Sequence, residues 1–380
     1  MIYLDNAAST PLSPEVKEFY FDAINQYYAN PHAGHGFSRE CSQVISRARL
    51  QLLKAAKAQE AKTEVIWTSC GTESNNLILL GKELNEGDHV ITCSAEHPSN
   101  SEAIKQLEAR GVNVLRIKLS PQGAPDLDEL KQIISDKTRL ISITALNNET
   151  GALTDMEKLA SICKTYPKCH IHIDAVQAFG KRLIEFNSWG IHSLALAGHK
   201  FHGPNSSAAL ICLKKNLPQP LMFGGGQQDG IRPGTVDAAA VASLGFAAQH
   251  NFEHKASKLL EIQKLNQACR DGIEKLTDRK GKAIKSLIVS SECSSPYILL
   301  VSFPDYQGAV IMRALSAYKI IIGTGSACAA EKQQSSPSLS AMGLSSKESF
   351  GVIRISFGWQ NTLNEIDDFL KTLQDFIASY

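Results

Sequence analysis

Between residues 13 and 250, short apolar runs rich in β-branched side chains recur at 65–68, 89–93, 112–118, 140–146, 170–174, 193–197 and 208–213, with helix-length stretches between them. Strand–helix alternation of this kind builds crossover units, and so a mainly parallel sheet. Most of these runs are apolar on both alternating faces, as strands covered by helices on both sides require. The fold class is therefore α/β, and ligands are expected at the loops that follow the strands' C-terminal ends. Near residue 251 the pattern changes: a long polar amphipathic helix is expected over 251–276, strands at 284–290 and 297–303, then further helices, the last from about 363. The expected organisation is a large domain over 13–250 and a smaller α+β domain formed by 1–12 and 251–380.

Charge narrows the possible partners. Lys plus Arg is 39 and Asp plus Glu is 38 in 380 residues, so a net charge of +1 offers no global field for nucleic acid or an anionic membrane. Hydrophobic residues at 43% and charged residues at 20% describe an ordinary globular chain rather than a disordered one. The nine cysteines are odd in number, scattered, and contain no C-x-x-C pair, which does not describe a disulfide framework. The start, Met-Ile-Tyr-Leu-Asp-Asn, has no charged segment followed by an apolar one, and no apolar run approaches the ~20 residues that span a bilayer. A cytoplasmic protein is expected, with no nucleic-acid or membrane partner.

Four constellations could carry chemistry. Ser69-Cys70-Gly71-Thr72-Glu73 follows a strand and opens a helix, so backbone N–H groups and the Thr72 hydroxyl could hold an anion; the same residues also serve as a plain helix cap with Glu73 in the first turn. His170, His172 and Asp174 share one face of a strand, which imitates a metal site but lacks the third or fourth ligand of suitable geometry that zinc needs; no metal is expected. Lys200, after Ala197-Gly198-His199, puts an amine at a strand end 26 positions beyond Asp174, so that the two can converge over one edge of the sheet. An amine, a carboxylate and an anion-binding helix start are what pyridoxal 5'-phosphate asks of a protein. Finally, Gly323-Thr324-Gly325-Ser326-Ala327-Cys328 and the polar segment after it describe a thiol on a mobile loop at about 323–338, against the usual fate of cysteine as a buried structural residue.

These motifs resemble those of the cysteine desulfurases, pyridoxal-phosphate enzymes of fold type I (aspartate aminotransferase-like), in particular the group linked to nitrogen fixation and iron–sulfur cluster assembly. The resemblance runs nearly end to end through Tyr3-Leu4-Asp5-Asn6-Ala7-Ala8, Asn30-Pro31, Gly71-Thr72-Glu73-Ser74-Asn75-Asn76, Glu96-His97, Asn147-Asn148-Glu149, Asp174-Ala175-Val176-Gln177, Gly198-His199-Lys200, Gly224-Gly225-Gly226, Arg232-Pro233-Gly234-Thr235, Gly323 to Cys328, and Arg354-Ile355-Ser356-Phe357-Gly358.

The resemblance implies that Lys200 carries the cofactor as a Schiff base and that Asp174 pairs with the pyridinium nitrogen. His97 would stack on the ring and shuttle protons, and Gln177 and Asn148 would bond the ring oxygen. Gly71, Thr72 and His199 would hold the phosphate, with Thr235 supplied by the second subunit of a homodimer. Arg354 would clamp the substrate carboxylate, with Asn148 also touching the substrate, and Cys328 would accept sulfur from L-cysteine as a persulfide for a sulfur-acceptor protein such as an iron–sulfur scaffold. The spacing from Cys328 to Gly343 resembles the long-loop subgroup. Four departures stand out: Ala197 where a phosphate-binding serine is common, Phe223 where a histidine is frequent, Gly323-Thr324 in place of Ser-Ser, and a chain that stops at Tyr380, short of the extension with which relatives dock a scaffold. Two other activities fit the resemblance, a selenocysteine lyase or related sulfur-amino-acid lyase, and a catalytically weak binding protein of the same fold.

Overall fold

The computed structural model describes residues 1–325 and 337–379. Its centre is a seven-stranded sheet of order β2-β8-β7-β6-β5-β3-β4, comprising β2 (Thr63–Thr68), β3 (His89–Cys93), β4 (Asn113–Ile117), β5 (Thr138–Thr144), β6 (His170–Asp174), β7 (Ser193–Ala197) and β8 (Ala208–Leu213). Only β8 runs against its neighbours, pairing antiparallel with both β7 and β2. Strands β6 and β7 are buried at every position, as the doubly apolar runs anticipate. Helices between the strands cover both faces: α3 (Gly71–Gly81), α4 (Pro98–Ala109), α5 (Leu127–Ile133) and α6 (Met156–Cys163), beside the preceding α1 (Pro14–Gln26) and α2 (Gly36–Ala55). Side-chain acceptors start several of them: Asp126 Oδ1 accepts from Asp128 and Glu129 N–H, and Asp155 Oδ1 from Lys158 N–H.

The amphipathic helix expected at 251–276 is longer than that, because α7 occupies Ala238–Glu274 without a break. Its extra turns come from an alanine-rich stretch whose N-cap, Asp237, accepts from Ala240 N–H. There α7 crosses α2 so closely that a Cβ on Gly245 would lie 2.5 Å from Ala48 Cα, a contact only glycine permits.

The remaining strands form two small sheets. One has the order β12-β10-β9, from β9 (Leu287–Ile288), β10 (Ile298–Ser302) and β12 (Val352–Ser356); the other pairs β1 (Ile2–Leu4) with β11 (Ile320–Ile322) in parallel. The strand expected at 284–290 shrinks to two residues. Packed around them are α8 (Gly308–Ala317), α9 (Pro337–Ala341), α10 (Ser346–Phe350) and α11 (Leu363–Ser379). One continuous apolar cluster runs from Ile143 and Leu196 in the large sheet to Leu299 and Ile355 in the small one, so the two sheets share a core.

After β1 the chain forms a strap over residues 5–10. Asn6 Nδ2 donates to Ser356 O (2.9 Å), Ala7 N to Ser356 Oγ (2.8 Å) and Thr10 N to His199 O (2.7 Å). The strap thus ties the end of β12 to the turn after β7, across the C-terminal edge of the large sheet where the candidate residues gather.

Candidate active site

Asp174 is the last residue of β6 and is buried. Its Oδ2 accepts from Asn75 Nδ2 (2.8 Å) and Asn100 Nδ2 (3.0 Å), and its Oδ1 from Val176 N–H (3.0 Å). Both amides belong to helices packed over the strand ends, Asn75 to α3 and Asn100 to α4. Three neutral donors hold the carboxylate in place without cancelling its charge, which leaves it fit to pair with a cationic ring nitrogen.

Lys200 stands one strand away, at the end of the short 3-10 turn Gly198–Lys200 that follows β7. The chain then reverses through His202, whose left-handed φ of 63° is held by Thr10 Oγ1 accepting from its N–H (2.7 Å). Lys200 Nζ donates to Ala7 O (2.8 Å) and Ala8 O (2.7 Å) of the strap. Burial, and then the Arg354 guanidinium, push this amine down to about 8, against the pull of Asp5 and Asp174. A sizeable fraction of it is therefore neutral, and nucleophilic, at ordinary pH.

Arg354 lies on β12 and is buried. Its Nη1 donates to Asn148 O (2.9 Å) and its Nη2 to Asp5 Oδ1 (2.8 Å), while its buried Nε has no partner among the described residues. The guanidinium is thus oriented before any ligand arrives and keeps N–H donors uncommitted, the buried Nε–H among them. Asn148 presents its backbone oxygen to this group.

Gln177 sits between these two regions. Its Nε2 donates to Ala7 O (2.6 Å), and its Oε1 accepts from Lys181 Nζ (2.9 Å). Lys181 is a second buried lysine, pushed down to about 7 by burial, then by Lys200 and Arg354. With its oxygen accepting from Lys181 and one amide hydrogen given to Ala7 O, Gln177 keeps one N–H to offer its surroundings.

The candidate phosphate cup is the start of α3. Gly71 packs where a Cβ would lie 2.6 Å from Val176 Cγ2, so a glycine is needed to let this turn approach the loop after β6. Thr72 is exposed, and Glu73 turns back to accept from Ser69 N–H (2.6 Å) while pairing with Arg232 (2.7 Å), so Glu73 caps the turn and leaves the Thr72 hydroxyl open to solvent. Burial, together with Lys200 and Lys181, holds His199 near about 4. Thr235 is exposed.

His97 caps α4, its Nδ1 accepting from Ser99 N–H (3.1 Å) with Ser99 Oγ at 2.8 Å. Burial, and secondarily Lys200, lower its pKa against the pull of Asp174. The neutral ring therefore carries its proton on Nε2. Next to it, Glu96 accepts from Thr144 N–H (2.9 Å) and lies within reach of Asn100 Nδ2 (3.4 Å); burial and Asp174 push it up to about 8.

The structure therefore joins Lys200 and Gln177 at Ala7 O, Arg354 to Asn148 O and His199 to Ser9 of the strap, sets Asp174 near enough to Lys200 and His97 to shift their pKa values, and lodges Gly71 against Val176, two residues after Asp174. Cys328 lies outside the described residues. His170 and His172 hydrogen-bond Ser193 and Asn75, and among the described residues no group of three or more His, Cys, Asp or Glu could hold a metal. Sequence reasoning missed Asp5, the strap carbonyls, Asn75, Asn100, Lys181 and Glu96 as parts of the site. Lys181 had a signal in its i,i+4 spacing from Gln177. Asp5 and the strap had only a motif without a role.

The donor set fits pyridoxal phosphate: a half-buried amine near about 8, a carboxylate one strand away, a helix start in which a glycine is obligatory, and a guanidinium with a buried orphan Nε. Lys200, Lys181 and Arg354 against Asp5 and Asp174 also leave the cleft with an excess of cationic groups, suited to a phosphate and a carboxylate.

The chain is similar to known proteins along nearly its whole length. The family profile "Aminotransferase class-V" matches residues 2–369. A cysteine desulfurase IscS of Rickettsia bellii is 33% identical over 380 residues, covering 98% of this chain and 90% of that one. Among solved structures, a NifS-like protein superposes with a TM-score of 0.89 at 29% identity over 99% of this chain and 98% of that one, and SspA in complex with cysteine with 0.80 at 28% over 94% and 99%. Sequence, fold and the Lys200–Asp174 pair converge, and the chain belongs to the class-V aminotransferase family, in its cysteine desulfurase branch.

Proposed function

We infer that this chain is a pyridoxal-phosphate-dependent cysteine desulfurase that converts L-cysteine to L-alanine and leaves the sulfur as a persulfide on Cys328. One observation carries this: the Lys200 amine and the Asp174 carboxylate sit on adjacent strand ends, with the Arg354 guanidinium oriented beside them. Bound pyridoxal phosphate supplies an electron sink for negative charge that develops at the substrate's Cα.

The protein's residues do the rest. Lys200 Nζ anchors the cofactor covalently and, as a free amine near about 8, takes the Cα proton. Asp174, held by its three donors, keeps a proton on the ring nitrogen. His97, with Nδ1 already accepting from Ser99 N–H, would lie against the bound ring and would supply a proton from Nε2. Gln177 offers N–H, and Asn148 a further contact, to the ring oxygen. Gly71, Thr72 and His199 hold the phosphate together with Thr235 of a second subunit. Arg354 binds the substrate carboxylate through its free donor, with Asn148 alongside. The Cys328 thiolate attacks the substrate sulfur, so that cysteine plus thiol becomes alanine plus persulfide with no external oxidant.

A homodimer fits the exposed run Leu221, Met222 and Phe223, the last 89% exposed, in the segment leading to Thr235. Among the described residues no helix is long and apolar enough to cross a membrane, which is compatible with cytoplasmic work beside a sulfur-acceptor protein. The test is a spectrum of the purified protein before and after L-cysteine, with alanine and persulfide assays. A band that shifts, and a Cys328→Ser variant that keeps the band but loses persulfide, are the expected results. A colourless protein that releases no alanine would overturn the assignment, and preferential turnover of selenocysteine or cystine would reassign the substrate.

A further inference from the structure

Behind Asp174, a row of buried polar side chains follows the face of β6 away from the cleft. Asn75 Nδ2 donates to Asp174 Oδ2 and to Ser99 Oγ (both 2.8 Å), so both amide hydrogens point to this side. Asn75 Oδ1 faces His172 Nε2 at 3.0 Å. His172 Nδ1 lies 2.9 Å from Ser193 Oγ, and the same hydroxyl lies 2.7 Å from His170 Nε2. Asn75, His172 and Ser193 are fully buried, and His170 is 1% exposed.

One arrangement of protons satisfies every side-chain contact of this row. The carboxylate accepts, so Asn75 must turn its nitrogen toward it and its oxygen toward His172. His172 must then carry its proton on Nε2, because a bare Nε2 would set two lone pairs face to face. Burial keeps the ring neutral, so Nδ1 is bare and accepts the Ser193 hydroxyl proton. Ser193 Oγ, its one hydrogen spent, accepts from His170 Nε2–H. That leaves His170 Nδ1 as a bare acceptor, and it is indeed a buried atom with no partner among the described residues. A buried unpaired acceptor is the expected terminus of a row whose direction is set at its other end.

We propose that His172 is a positioning residue for Asp174: its Nε2–H satisfies the buried Asn75 Oδ1 and so holds the amide in line to donate to the carboxylate intended for the cofactor's ring nitrogen. The role rests on the reading that the cleft holds pyridoxal phosphate, but the proton arrangement does not. Without the His172 donor, Asn75 Oδ1 is left buried and unpaired, and the amide can find a new partner for it only by rotating out of line with Asp174, which weakens its bond to the carboxylate.

Two measurements decide it. Nitrogen NMR of the histidine-labelled, cofactor-free protein should show both His172 and His170 as Nε2–H tautomers that do not titrate from about pH 5.5 to 8; an Nδ1–H tautomer or a titrating His172 overturns the proposal. His172→Leu should bind pyridoxal phosphate about tenfold or more weaker and shift the absorbance maximum of the bound cofactor, and His172→Gln, which restores an N–H donor, should recover both. Unchanged affinity and spectrum in the leucine variant, or a glutamine variant no better than leucine, overturns it. If the variants do not fold, the tautomers decide. If the unsubstituted protein takes up no pyridoxal phosphate, the functional reading falls, and the tautomers still test the row.

Discussion

Around Asp174 the chain places neutral amides and imidazoles, Asn75, Asn100 and His172, reaching in from α3, α4 and β6; around Lys200, one strand away, it places Arg354, Lys181 and Asp5. The first region fixes a charge by directional donors and leaves that charge intact. The second balances charges against one another, and its amines sit where small changes in the local field decide whether they carry a proton. A site that must hold one charge constant and move protons at another gains from building the two regions differently.

The sharpest way to break this contrast is to remove the mobile proton. Lys200→Ala should lower alanine formation by about 10³-fold or more and abolish the covalently bound cofactor band, as the loss of both base and anchor requires. A variant that retained turnover would shift the base to Lys181.

A smaller but more diagnostic effect comes from the charges that set Lys200. Arg354 lowers the amine and Asp5 raises it. In Arg354→Gln the proton is held more tightly, so neutral amine appears only at higher pH and the acid limb of cofactor uptake moves up. In Asp5→Asn it moves down. Arg354→Gln should also raise KM for L-cysteine about 10- to 100-fold. Movement of both limbs in one direction would remove the charge-balance account of this region.

The amide-lined region should show its character in stability rather than rate. Glu96, which reaches Asn100, has its pKa raised in the fold to about 8, well above the usual carboxylate range. Its contribution is fully present below about pH 4.3 and is lost as pH rises through about 8. Urea denaturation should therefore find the parent losing about 1–3 kcal/mol relative to Glu96→Gln across that window. Parallel curves would show that Asn100 and Thr144 already offset the burial.

How much of this was legible depended on how local the signal was. Strands β6, β7 and β8 have the bounds their apolar runs suggest, and Asp174 and Lys200 were readable as chemical groups at strand ends. Strands β1, β11 and β12 were not, since three to five residues of apolar chain look alike in a strand or a buried turn. His170 and His172 carried the period of a strand face, which suggested a metal site or structural filler. Their partners Ser193 and Asn75 lie 21 and 97 positions from His172 and could come only from the fold. The same holds for Asp5 and Arg354, 349 positions apart.

The strap also sets when the site can come into being. Asn6 and Ala7 wait for Ser356, so the carbonyls that receive Lys200 are tied down only when almost the whole chain exists. At about 5–20 residues per second, a ribosome spends roughly 8–30 s between Lys200 and Ser356. Throughout that interval the nascent chain carries Lys200 without a finished cleft around it. The chemistry that liberates a reactive sulfur is thereby withheld from a half-made protein.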